Sequence, residues 1–100
     1  MLPFDALSPE EMARAVSGRA RALRLHHDLT QQGLADRAGV SLGSLKRFER
    51  TGAIAFTSLI RIAQVLDALD ELEALFPEPE FRSIDDAIAR EKRRQRGRRS

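Results

Sequence analysis

The side chains of this 100-residue chain best suited to chemistry are cationic, and they are unevenly placed. Residues 1 to 13 hold three acids and no base, a local charge of −3, whereas residues 14 to 61 hold nine bases against Asp28, Asp36 and Glu49, a local charge of +6. Residues 62 to 89 swing to −7 through eight acids against Arg82, and residues 90 to 100 return to +6 through seven bases against Glu91. The net charge of +2 thus conceals two cationic segments around an anionic one. Ammonium and guanidinium groups gathered in one segment fit a polyanion, because phosphate contacts supply most non-specific nucleic-acid affinity. Ordinary charge mixing on solvated helix faces is the alternative use of the same residues.

Other chemistries find no residues at a workable spacing. With no cysteine, the chain has no thiolate nucleophile, no disulfide frame and no cysteine metal site, which fits a reducing compartment. His26 and His27 are the only histidines, and neighbours on a helix point about 100° apart instead of toward one metal. They better suit the end of a helix, where the dipole favours a cation. No glycine-rich phosphate loop, acid pair beside a base, or nucleophile with a histidine partner is recognisable. An enzyme, a cofactor and a metal centre are therefore not expected. Hydrophobic residues make up 42% and charged residues 32% of the chain, with no apolar run of the roughly 18 residues that a membrane span needs. Met1 to Leu7 carry an acid and a proline in place of a signal peptide's basic start. The expectation is a soluble, cytoplasmic protein that does not enter a membrane.

The elements that must position the cationic side chains are helical. Ser8-Pro9-Glu10-Glu11 reads as a capped start with a capping box, and Met12, Ala15, Val16, Ala20 and Leu23 follow helical spacing to about His27, with Gly18 weakening the middle. Thr30 caps a short second helix through Leu34, Ala35 and Ala38 that must stop at Gly39. Ser41 caps a third helix carrying Leu45 and Phe48, broken at Thr51-Gly52. Thr57 is expected to cap a fourth with Leu59, Ile60, Ile62, Ala63 and Leu66, and Leu69, Leu72, Leu75 and Phe76 suit a fifth that ends before Pro77. Residues 77 to 83 read as an extended linker because each proline disfavours helix in the residue before it. A last short helix can follow from Ser83, and Lys92 to Ser100, without an apolar residue, should be disordered. The resulting division is a folded unit over 8–76 and an extension over 77–100.

Thr30 to Arg50 is the informative stretch: two short capped helices joined by Ala38-Gly39-Val40-Ser41, with small Ala35 where the helices must cross and Val40, Leu45 and Phe48 fixing their angle. That pattern is a helix-turn-helix; an αα-hairpin without a ligand is the plainer alternative. Thr30-Gln31-Gln32-Gly33-Leu34-Ala35, Ala38-Gly39-Val40-Ser41 and Leu45-Lys46-Arg47-Phe48-Glu49-Arg50 resemble the Cro/C1-type (phage-repressor-like, XRE) helix-turn-helix family over about residues 14 to 68. The Ser8-Pro9 start, the long first helix and the basic tail look more narrowly like HipB-like antitoxins that partner HipA-type kinase toxins. The resemblance implies an all-α, five-helix, dimerising, phage-repressor-like domain.

The resemblance also implies roles. Thr30, Gln31 and Gln32 at the start of the second helix would belong to the DNA contact, with Gln31 in the family's phosphate-contacting position, aided by the backbone N–H groups there. Ser41, Leu42, Gly43, Ser44, Lys46 and Arg47 would form the outward face of the recognition helix in the major groove. Arg47 can donate two bonds to guanine O6 and N7 or contact a phosphate, and Lys46 and Arg50 lean toward phosphate. Leu42 and Gly43 stand where polar base readers are frequent, which shifts weight to Arg47 and to DNA shape. Gly33 stands where an acid would complete a capping box with Thr30. An arginine and a glutamate at positions 24 and 49 imply an ion pair between the first and third helices. The stripe Leu69, Leu72, Leu75 and Phe76 is expected at a two-fold interface.

The expected function is that of a sequence-specific transcriptional repressor in the bacterial cytoplasm, nucleoid-associated, a homodimer on an inverted-repeat operator of double-stranded DNA. The HipB-like resemblance implies an autoregulating antitoxin of a toxin-antitoxin operon with a HipA-type kinase toxin as partner. A toxin-binding protein with secondary DNA binding, and a phage-type repressor without a toxin, remain the alternatives. Seven bases over residues 90–100 suit either a DNA arm or a cationic ligand for a protein groove.

Overall fold

In the computed structural model, which describes residues 7–79 and 88–94, the chain is all-helical. Five helices run in order: α1 (Pro9–His26), α2 (Gln31–Ala38), α3 (Leu42–Thr51), α4 (Phe56–Val65) and α5 (Leu69–Glu73). Residues 88–94 form a sixth, α6. No strand is present among the described residues.

Each of the first three helices starts where a short polar side chain can accept an orphan N–H. Ser8 accepts from Glu11 N at 3.1 Å while Glu11 Oε1 accepts from Ser8 N at 3.3 Å, a reciprocal box. Thr30 Oγ1 accepts from Gly33 N at 2.9 Å, and Ser41 Oγ accepts from Ser44 N at 3.0 Å. Apolar residues flank the same starts: Leu7 and Met12, Leu29 and Leu34, and Val40 and Leu45 hold the positions just before the cap and four into the helix, the hydrophobic-staple positions.

The fourth start differs from expectation. Thr57 does not cap α4; the cap is Ala55, in extended conformation and without a side-chain bond, and Thr57 lies inside the first turn. Ile54 and Leu59 hold the staple positions there and both pack against the core, so apolar anchoring fixes the start without a polar cap.

The core is built from Leu34, Ala35 and Ala38 of α2, Leu45 and Phe48 of α3, and Ile62 and Leu66 from α4 and its end. Burying such side chains is worth about 1.5 to 3 kcal/mol for each large one. α1 packs on α3, α2 packs on both α3 and α4, and α5 packs on α4. Gly52 ends α3 with φ of 83°, and a Cβ there would lie 2.6 Å from the carbonyl carbon of Ala13, so this glycine lets α3 end hard against α1.

Three more expectations change. The fully buried side chains of α1 are Ser17 and Arg24, with Ala20 partly buried against the core; Leu23, expected in the apolar core stripe, is 38% exposed. α5 stops at Glu73, so Leu75 and Phe76 lie beyond it; with no buried residue of its own, this five-residue helix has little to extend it. Lys92 to Arg94, expected to be disordered, belong to α6, where Arg94 pairs with Glu91 one turn earlier. The helix start expected at Ser83 and the tail from residue 95 lie outside the described residues.

Candidate nucleic-acid interface

The α2–α3 unit turns through three residues. Gly39 takes φ of 68°, which costs a glycine little, and Val40 N donates to Ala35 O at 3.1 Å, closing the end of α2. Arg61 of α4 reaches the carbonyl of Gly39 at 3.5 Å across the same turn. Buried Ala35 and Ala38 provide the flat surface against which Leu45 and Phe48 seat α3.

With Leu45 and Phe48 inward, α3 turns Gly43, Ser44, Lys46, Arg47 and Arg50 to solvent, together with its cap Ser41. Leu42 is only partly outward: it packs against the core, which leaves a reduced apolar edge for contact. Nothing lies within 4 Å of a Cβ placed on Gly43, so the helix surface is open there.

Below this face lies a buried polar node. Arg24 Nε and Nη2 donate to Glu49 Oε2 and Oε1 at 2.7 and 3.0 Å, with side-chain exposures of 8% and 5%. Arg24 Nη1 donates to Leu29 O at 2.9 Å, and Gln31 Nε2 donates to Glu49 Oε1 at 3.0 Å. Glu49 of α3 therefore accepts from α1 and α2 at once, and the bidentate fork fixes both orientation and distance. No side-chain N or O that is buried among the described residues lacks a partner.

Of the ten residues assigned to a DNA contact, the eight with polar side chains divide into two groups by what those side chains already do, leaving Leu42 and Gly43 aside. Thr30 and Ser41 cap helices, Ser44 Oγ lies 2.8 Å from Ser41 Oγ, Gln31 is held by Glu49, and Gln32 Nε2 donates to Asp36 Oδ1 at 2.7 Å. Lys46, Arg47 and Arg50 make no hydrogen bond or ion pair among the described residues, so three cations stand free on one face. Leu69 and Leu72 are half-buried, while Leu75 and Phe76 are exposed.

Sequence reasoning missed one part of this surface. Ser44 and Arg47 share a hollow of about 290 Å³ with Ala53, Ile54, Ala55 and Ser58, the last at the start of α4. Without a side-chain cap, that start leaves backbone N–H groups for an anion, next to the Arg47 guanidinium. The only trace of this in the sequence is an alanine where a capping residue is usual.

A capped helix, a glycine turn and a second helix with a cationic outer face, seated at a fixed angle, define a helix-turn-helix DNA-binding domain. A family model described as helix-turn-helix matches residues 21–72, just over half of the chain. The chain belongs to that family, of the Cro/C1 type, and is a DNA-binding transcription regulator. A search of curated proteins gives no significant match. Among the described residues, no helix is long and apolar enough to cross a membrane, and no three potential metal ligands gather.

Proposed function

We infer that the protein is a sequence-specific transcriptional repressor that acts as a homodimer on an inverted-repeat operator and controls its own operon. The observation that supports this best is the group of three unpartnered cations on α3, held over a buried node that fixes the helix against α1 and α2. In the complex, Arg47 reads a guanine edge, Lys46 and Arg50 meet phosphates, and the starts of α2 and α4 hold the flanking backbone. Two-fold pairing sets two such helices one turn of DNA apart.

The antitoxin role, with a HipA-type kinase toxin as partner, is supported by what lies beyond the matched region. Residues 73–100 are surplus to a minimal DNA reader and carry an acidic stretch followed by a basic one. Co-purification with a kinase toxin encoded beside this gene tests that role; a neighbouring gene of another kind removes it.

The test of the repressor reading is Arg47→Ala, assayed by fluorescence anisotropy on the DNA upstream of its own coding sequence and on random duplex, at one fixed salt concentration. Loss of a bidentate base contact worth about 1 to 3 kcal/mol lowers operator affinity by about 5- to 150-fold. Affinity for random duplex changes far less. An equal fall on both DNAs makes Arg47 a phosphate contact, and no preference of the wild type for its own upstream DNA refutes autoregulation.

A further inference from the structure

α1 turns two faces to the rest of the chain, and among the described residues the second is only partly filled, by Ala20 against the core. Ser17 and Arg24 face α3, whereas Val16, Ala20 and Leu23 line a hollow of about 390 Å³ closed on its other sides by Leu59 and Ala63 of α4 and Leu72 of α5. Its floor is core, Ile62 and Leu66, so any apolar group entering it meets an already ordered surface. Arg19 and Glu71 stand at its rim.

One turn beyond Leu72, the chain projects the opposite shape. Leu75 is 50% exposed and Phe76 is 87% exposed, the most exposed large apolar side chain among those described. Leaving each in water forgoes about 1.5 to 3 kcal/mol of burial. Pro77 follows and ends any helical continuation that would fold the pair back onto α5.

We propose that this hollow receives Leu75 and Phe76 from a second copy of the chain, so that the dimer is held by a reciprocal exchange of side chains between two copies. The occupant is identified by three features. The space suits one aliphatic and one aromatic side chain, at the small end of ligand-sized sites. Cavity and projection adjoin one another through Leu72, and a two-fold axis buries both patches twice, which is the self-complementarity of an isologous interface. Charge offers one favourable pairing as well: Glu73 and Glu78 flank the projecting pair, and Arg19, which shares the receiving rim with Glu71, can meet one of them.

The inference rests on the homodimer reading and differs from a simple facing of two Leu69–Phe76 stripes. Sedimentation equilibrium of the full chain as wild type, Phe76→Ser and Ala20→Glu measures the dimer Kd. Removing one aromatic anchor from each of two symmetric pockets raises Kd by about a hundredfold or more. Phe76→Ser keeps its circular dichroism spectrum, because that side chain is solvent-exposed in the protomer. A mixture of Ala20→Cys and Ala74→Cys chains, which have no other thiol, gives a mixed cross-link with a short bismaleimide. A wild-type chain that stays monomeric at high micromolar concentration refutes the dimer reading itself. A dimer that keeps its Kd in Phe76→Ser, or that cross-links only Ala74→Cys to Ala74→Cys, overturns the exchange and leaves the dimer standing.

Discussion

Replacing Arg24 by methionine keeps the aliphatic stem and removes a guanidinium that makes three hydrogen bonds: two to Glu49, at 2.7 and 3.0 Å, and one to Leu29 O at 2.9 Å. Glu49, its side chain only 5% exposed, then keeps a single donor, Gln31 Nε2 at 3.0 Å, and Leu29 O loses a partner. Charged hydrogen bonds are worth about 1.5 to 3 kcal/mol each, but they are not additive, and removing one partner of a buried pair costs about 3 to 5 kcal/mol in total. That is a large part of the roughly 5 to 15 kcal/mol that holds a domain together. At about 4 to 8 °C per kcal/mol, Tm falls by at least about 12 °C. Glu49→Leu costs a similar amount, because it strands a buried guanidinium instead. The double variant Arg24→Met/Glu49→Leu has no buried charge to leave unpaired and recovers most of the loss. Urea unfolding followed by far-ultraviolet circular dichroism, with an unchanged m-value, measures all three. A cost below about 1 kcal/mol for Arg24→Met, the worth of an exposed pair, or additivity in the double variant, refutes the view that this node locks α1 to α3.

Two further predictions concern backbone and charge. Gly52→Ala combines positive φ with a Cβ 2.6 Å from Ala13 and costs about 2 to 4 kcal/mol, whereas Gly39→Ala, with positive φ but nothing within 4 Å, costs about 1 to 2; Gly18→Ala, mid-helix and in open space, gains about 0.5 to 1 kcal/mol. Thermal unfolding ranks the three, and an equal cost at Gly52 and Gly39 removes the close approach of α3 to α1 as the cause. Deleting residues 90–100 removes seven bases and one acid and flattens the slope of log affinity against log salt by about 0.9 for each phosphate no longer met, with operator preference kept. An unchanged slope makes the tail something other than a DNA arm.

Much of the framework was legible because its signals are local. Ser8, Thr30 and Ser41 announce helix starts, and Gly39 and Gly52 announce ends, through chemistry confined to a few neighbouring residues. Where the start rests on tertiary anchoring, as at Ala55, a search for polar caps lands two residues late on Thr57; the Ile54/Leu59 spacing carried the information instead. Periodicity also found the apolar stripe of α1 but not its direction. Ser17 and Arg24 lie seven residues apart on the face toward α3, so the stripe through Val16 and Leu23 lies along the open hollow. An amphipathic pattern records which residues avoid water and is silent about whether the chain's own core receives them. The proximity of Arg24 and Glu49 was accessible only through family resemblance, since a charge between apolar residues on a helix reads by default as solvated.

The node at Glu49 also bears on why a charged pair occupies a place that apolar side chains could fill. Apolar packing would hold α3 against α1 about as tightly, because burying two charges costs nearly as much as their attraction returns. What apolar contact lacks is direction. Neighbouring residues on α3 are about 100° apart around its axis, so a slip of one position would turn Lys46, Arg47 and Arg50 together out of the direction in which they now face solvent. A planar fork from Arg24 to both Glu49 oxygens, with Gln31 fixed to one of them, penalises that rotation and ties it to the start of α2, where the flanking phosphate is expected. The consequence separates stability from reading: Arg24→Met/Glu49→Leu, folded and close to wild type in unfolding free energy, should bind random duplex nearly as well while losing part of its preference for operator. Full retention of that preference would mean that Leu45 and Phe48 alone orient the helix, and that the ion pair contributes only to folding.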